Sequence, residues 1–239
     1  MTPPVVLVSL WRNDAARALP ERAAHLLAKT YPALRWLWVV GDSTDATTDH
    51  LAAIAAADGR DITVLDLGDT GAVPATPEGR LVRLSRTVNA ALAQVRATDA
   101  VVCCHESDLL SPPDVVERLL APGHACMGAW PMLRGLAQAC FYDTWAVRGL
   151  DGRTFTNHPP YHPEYRADAP FEVSSFGSVY LFPAAAVRRG LRADTLAVVD
   201  LAHGLRAQGY PLWVDPTCEV VQPAALWTPL PFPREALPV

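Results

Sequence analysis

The sequence predicts an α/β protein built on a doubly wound, mainly parallel sheet. Short Val/Leu-rich runs alternate with helical patterns in the order β-α-β-α-β-α-β over the first hundred or so residues. The runs are apolar at consecutive positions, as strands covered on both faces must be. Each run also ends in a polar loop carrying Asp, Glu or Arg, and loops at the carboxyl ends of such strands are where this architecture places its ligand groups.

Pro4 to Leu10 reads as the first strand, with Trp11-Arg12-Asn13-Asp14 in the loop after it. Ala15 to Lys29 carries a helical pattern that Tyr31-Pro32 breaks. Arg35 to Val40 is a second strand entering Gly41-Asp42-Ser43-Thr44-Asp45, where Thr44 or Asp45 can cap the next helix, Thr47 to Ala57. Asp58-Gly59 ends that helix, and Ile62 to Leu67 is a third strand. After a turn-rich loop, Arg80 to Val95 places Leu81, Leu84, Val88 and Leu92 on one face, with Arg83 and Arg86 beside it.

The run Ala100 to Cys104 is a fourth strand, and it delivers His105-Glu106-Ser107-Asp108 before Ser111-Pro112-Pro113 stops it. Asp114 to Leu120 reads as a helix, and Met127 to Leu133 as a strand. Phe171 to Phe182 reads as a strand or strand pair interrupted at Gly177. Leu196 to Gln208 is a helix ending at Gly209, Leu212–Val214 and Glu219–Val221 are short strands, and the Pro-rich end is an irregular tail.

The 239 residues suit a single domain, and no apolar run approaches a membrane span. Met1-Thr2-Pro3-Pro4 lacks a basic leader start, so a soluble cytoplasmic protein is expected. The five cysteines form no Cys-x-x-Cys pair and read as core thiols. A net charge of −5 argues against non-specific attraction to nucleic acid.

Four groups are expected to converge on one crevice: Arg12 with Asp14, Asp42 with Asp45, Arg83 with Arg86, and Glu106 with Asp108. Two carboxylates one residue apart at a strand end suit a hard divalent cation. The guanidinium groups suit phosphate, and the remaining carboxylates suit a ribose or base. A nucleoside diphosphate would use all three. The sequence has no Gly-x-Gly-x-x-Gly after the first strand, no phosphate-binding Gly-Lys-Ser/Thr loop and no Gly-x-Ser-x-Gly elbow. His158 and His162 lie in a Pro- and Tyr-rich loop better suited to a stacking surface or lid than to a metal.

The segments Val39 to Thr47, Arg83 to Asn89 and His105 to Asp108 resemble the nucleotide-binding half of GT-A glycosyltransferases of the family 2 type. Phe141-Tyr142-Asp143-Thr144-Trp145-Ala146-Val147-Arg148 with Asp151-Gly152 is similar to a segment of the Anp1 and capsule-associated mannosyltransferases. The resemblance implies a GT-A (Rossmann-like) mixed, mainly parallel sheet flanked by helices. It implies a nucleotide-sugar-binding half over residues 1–120, an acceptor-binding half over 121–225, and a tail over 226–239.

It also implies roles. Asp42 and Asp45, with Arg12, would serve the nucleoside, and Arg83 and Arg86 the diphosphate. Glu106 and Asp108 would hold Mn²⁺ or Mg²⁺, and Asp143 or Asp200 would deprotonate the acceptor, with Trp145 packing against a sugar face. Glu106 replaces the family's first Asp, and Gln222 stands near where a metal-binding histidine often falls. The donor would be a nucleotide diphosphate sugar. The acceptor would be a glycan, a protein or a hydroxylated DNA base, the last using Trp130, Tyr161 and Tyr165 as stacking surfaces. A non-catalytic nucleotide-sugar-binding protein and a nucleotidyltransferase are the alternatives.

Overall fold

The computed structural model describes residues 2–15, 19–69, 76–134, 140–141, 146–154 and 168–223. The first four strands are β1 (Val5–Trp11), β2 (Leu34–Val40), β3 (Ile62–Asp66) and β4 (Val101–His105). They are joined by α1 (Leu19–Leu27), α2 (Thr47–Asp58) and α3 (Pro77–Ala93). There follow α4 (Val115–Leu120), β5 (Cys126–Arg134), β6 (Cys140–Phe141), β7 (Phe171–Val173) and β8 (Val179–Pro183). The described chain closes with α5 (Ala184–Arg188), α6 (Val198–Ala207) and β9 (Leu212–Pro223).

The nine strands among the described residues belong to one sheet of order β3-β2-β1-β4-β8-β5-β9-β7, with β6 on β5. Strands β1 to β4 pair in parallel, β8 reverses direction between β4 and β5, and β9 runs parallel to β5. The sheet is therefore mixed and mainly parallel, and it passes without a break from the first half of the chain into the second.

Alternation along the strands sends side chains into two cores. Val6, Val8, Leu37, Val39 and Val102 pack under α3, α5 and α6 with Val88, Leu92, Leu201 and Leu205. Val5, Leu7, Trp36 and Trp38 pack under α1, α2 and α4 with Leu26, Leu51, Val116 and Leu119. Burial on both faces explains why these strands read as unbroken apolar runs. Cys103, Cys126 and Cys218 are buried free thiols, as expected of core cysteines. No helix among the described residues is long and apolar enough to cross a membrane.

Several boundaries differ from the sequence-based expectation. The third helix begins at Pro77, not Arg80, because Thr76 accepts a hydrogen bond from Gly79 N at 3.2 Å and Pro77 fills the first helical position. The described part of the first helix, Leu19–Leu27, ends two residues before Lys29. The two expected strands near the end are one strand, β9, carrying a register shift opposite Ala129/Trp130. Asp215 accepts from Thr217 N and Oγ1 at 2.8 and 2.7 Å, so a local Asx turn absorbs Pro216 without ending the pairing. Helix α5 carried no sequence signal strong enough to call.

Gly41 ends β2 against α3: a Cβ there would lie 2.8 Å from Thr87 Oγ1, which itself donates to Arg83 O at 3.1 Å. Gly41→Ala is expected to cost about 1–2 kcal/mol in urea denaturation. Most of that loss should vanish in the Thr87→Ala background, since the two positions share the contact.

Candidate active site

The crevice lies at the carboxyl edge of β1, β2 and β4. Four non-glycine residues with positive φ border that edge: Asn13 (50°), Asp42 (53°), Ser178 (65°) and Ala197 (45°). Each costs strain that a surrounding network must hold. Asn13 Oδ1 accepts from Thr44 N at 2.8 Å, and Asn13 N donates to Ser43 Oγ at 3.0 Å. Asp42 N donates to Gly68 O, and the Asp42 carboxylate faces Arg83 Nε at 3.9 Å. Ser178 O accepts from Glu106 N at 3.1 Å. Ala197 N donates to Ser85 Oγ at 3.0 Å.

The structure brings together Arg12, Asp42 and Arg83. Arg12 is exposed above the edge, with its Nε 3.5 Å from Asp42 O. Arg86 is exposed one helical turn along α3 from Arg83. Asp45 is differently employed. One of its oxygens accepts from Thr47 N and Oγ1 at 3.1 and 2.5 Å, and the other from Ala15 N at 3.1 Å. Desolvation pushes this carboxyl up, but the Thr47 hydroxyl and these amides outweigh it and hold it below its usual range. Asp45 thus ties the loops after β1 and β2 together instead of capping α2 from the N-cap position, which Ala46 occupies.

Asp108 is half-buried, like Glu106, while Asp14 is buried. Burial pushes the Asp108 carboxyl up, with Asp14 adding to the shift, against Arg22, its own backbone amide and the Gln222 amide, which hold it down. Gln222 is 1% exposed, and its Oε1 has no hydrogen-bond partner among the described residues. The loop bearing Asp108 is zipped to β9 beside Gln222 by Leu110 N to Val221 O at 2.8 Å and Val221 N to Leu110 O at 2.7 Å. Glu106 is half-buried, and its charge is felt by Cys104 and Tyr180 on the α3 side of the sheet. The two motif carboxylates therefore leave the strand end into different surroundings. Among the described residues no three His, Cys, Asp or Glu side chains cluster closely enough to hold a metal by themselves. Asp108 with the unfilled buried acceptor Gln222 Oε1 beside it offers hard oxygen donors of the kind a divalent cation takes, the rest of the shell coming from phosphate and water.

Asp200 sits in the first turn of α6, where Oδ2 accepts from Asp194, Thr195 and Leu196 N at 2.8, 2.7 and 2.7 Å. Asn89 braces the same loop with a two-point contact to Ala193. Trp130 packs edge-on against Phe171, with centroids 6.0 Å apart. Asp143, Trp145, His158, Tyr161, His162 and Tyr165 lie outside the described residues.

Sequence reasoning missed Arg22. Its guanidinium is buried, pairs with Asp14 Oδ1 at 2.7 Å, and donates to Ser107 O and Oγ at 2.8 and 2.7 Å. It also lies 5.2 Å from the Trp11 ring centroid. The available signal was an arginine in line with Leu19, Ala23 and Leu26 on the apolar face of α1.

No family model and no curated protein matches the sequence. Solved structures do match. A mannosyltransferase, PcManGT from Pyrobaculum calidifontis, in complex with GDP-Man and Mn²⁺, is 16% identical with a TM-score of 0.58 over 92% of this chain and 57% of that one. TarS from S. aureus in complex with UDP-GlcNAc is 12% identical, with a TM-score of 0.58 over 99% of this chain and 62% of that one. GalNAc-T7 with UDP, GalNAc and Mn²⁺ is 12% identical, with a TM-score of 0.64 over 93% of this chain and 44% of that one. This chain thus spans roughly half of each neighbour, and it has their GT-A fold.

Behind the Asp108 loop, burial first and the Lys29 charge second pull His105 down to about 3 and His25 to about 4. Unfolded, both titrate near 6.5. Between about 4 and 6.5 the unfolded chain therefore binds more protons, so stability rises with pH. The unfolding free energy from urea titration is expected to fall as pH drops from 6.5 to 4, by on the order of a few kcal/mol. His105→Asn should flatten that slope.

Proposed function

We propose that this chain is a metal-assisted glycosyltransferase that moves a sugar from a nucleoside diphosphate sugar to a hydroxyl acceptor. The observation that carries the proposal is Asp108. It is a half-buried carboxylate in the loop after β4 whose carboxyl is pushed up by desolvation, beside the orphan Gln222 Oε1 and within reach of the Arg22 charge. Such a group is costly unless something at the site uses its charge. The solved neighbours that share the fold hold GDP-Man, UDP-GlcNAc, or UDP with GalNAc, two of them with Mn²⁺.

In this reading Asp108, with Glu106 and Gln222 Oε1, holds the divalent cation. The bound cation would neutralise charge on the departing diphosphate. Arg83 and Arg86 on α3 meet the phosphates from the other side, as guanidinium groups suit phosphate oxygens. Asp42, held beside Arg83, is oriented for the nucleoside together with Arg12. Asp45 shapes the loop on which they sit. The Asp200 oxygen that faces the backbone is saturated by three amides, which favours Asp143 as the group that takes the acceptor proton.

A thermal-shift panel of UDP-, GDP-, CDP- and dTDP-sugars, with Mn²⁺ or with EDTA, tests the proposal. A donor at a hundred times its Kd adds about 2.7 kcal/mol to the native state. In a chain of this size that raises Tm by roughly 5–10 °C. One nucleotide is expected to give this rise only with metal, and Asp108→Asn should abolish the metal-dependent part. No shift with any nucleotide, or the same shift in EDTA and in Asp108→Asn, would contradict it.

A further inference from the structure

Helix α1 turns a polar stripe inward. Arg22 and His25, three residues apart, share a face of the helix, Lys29 follows just past its end, and all three reach the segment that follows β4. Arg22 holds both the carbonyl and the hydroxyl of Ser107. His25 Nε2 accepts from Ser111 N at 2.9 Å, and Lys29 Nζ donates to Ser111 O at 3.2 Å. Ser111 Oγ lies 2.7 Å from His105 Nε2, and His105 Nδ1 2.8 Å from Glu106 O. The loop bearing Glu106 and Asp108 is thus clamped at its middle and at its end by α1 and by Lys29 just past it. Arg22 and Lys29 are 6% exposed, so this clamp is internal architecture and not a solvated face.

We propose that Arg22 is a positioning residue for the cation site, an inference that rests on Glu106 and Asp108 being the cation-binding pair. Ser107 stands between the two carboxylates, so fixing its carbonyl and hydroxyl sets the backbone on either side of it. Asp14 completes the device: it takes the third edge of the guanidinium and is itself anchored by Arg12 N at 3.0 Å and, through its own amide, by Thr47 Oγ1 at 2.7 Å. A cation arriving at a loop held this way need not spend its binding energy on ordering the loop. A lysine at position 22 would keep the charge. It would lack the planar fork that reaches Asp14, Ser107 O and Ser107 Oγ at once.

The test is Mn²⁺ affinity in the absence of nucleotide, read from the free Mn²⁺ signal in electron paramagnetic resonance, on the full chain. The variants are Arg22→Lys and Ser107→Ala. The reference is Arg35→Lys, which damages another buried Arg–Asp pair, Arg35 with Asp99, on the strand β2 away from the crevice. Arg22→Lys is expected to weaken Mn²⁺ binding about 10–100-fold, as loss of an outer-shell partner does. Ser107→Ala should weaken it several-fold. Arg35→Lys should lower Tm and leave the Mn²⁺ Kd within about twofold of the parent, because a purely structural loss moves stability and not the ion. A folded Arg22→Lys protein that binds Mn²⁺ like the parent overturns the inference. If Arg22→Lys does not fold, an unchanged Kd in Ser107→Ala overturns it instead. A parent protein that binds no Mn²⁺, or binds it equally well as Asp108→Asn, overturns the cation-pair assignment itself and separates that failure from a failure of Arg22.

Discussion

The buried guanidinium of Arg22 is the constraint around which the carboxyl edge of this sheet is built. Taking such a group out of water costs several kcal/mol unless its donors are met. Here Asp14 meets one edge and Ser107 two more, with the Trp11 ring alongside. Removing one partner would leave a charge stranded in the core beneath α1, typically a loss of about 3–5 kcal/mol. The loop after β1, the helix α1 and the loop after β4 are therefore committed to one arrangement. The reward is geometric: two segments distant in sequence arrive at the crevice already in register.

Strain follows the same edge. Asn13, Asp42, Ser178 and Ala197 all hold positive φ without being glycine. Each is overdetermined by neighbours from another segment, through Ser43 and Thr44, Gly68, Glu106, or Ser85. The opposite edge of the sheet is held by ordinary means, such as the Arg35–Asp99 pair and its bond to Arg96 N. Non-glycine backbone held out of its favoured regions, found among the described residues along this edge, is a pattern that accompanies a site. It here coincides with the carboxylates and the arginines of α3.

The strands were legible because burial on both faces leaves a run of Val, Leu, Ile and Trp that no amphipathic surface element would carry. Their carboxyl-end loops were legible for the same reason, since polar residues that follow such a run have nowhere to go but the rim. The bulged β9 read as two strands because Pro216 looks like a terminator, and only the Asp215–Thr217 turn shows how pairing survives it. Arg22 was invisible because a lone arginine on a helix reads as solvated; its burial depends on Asp14 and on Ser107, 85 residues away. Asp200 and Asp45 were legible as carboxylates at the right places. Whether such a group faces a ligand or satisfies backbone amides is decided by three-dimensional neighbours. Gln222 came forward only through family resemblance, and its place against Asp108 depends on strand β9 running the full length of β5.

In the proposed reading, Asp108 marks a cation site where a nucleoside diphosphate is held. Diffraction from crystals soaked in Mn²⁺ with either UDP or GDP, recorded for the anomalous signal of manganese, tests it most directly. One strong peak is expected at roughly 2.1–2.3 Å from a carboxylate oxygen of Asp108, with phosphate oxygens completing the shell. A nucleotide bound elsewhere, or a nucleotide bound in the crevice with no manganese at Asp108, would contradict it.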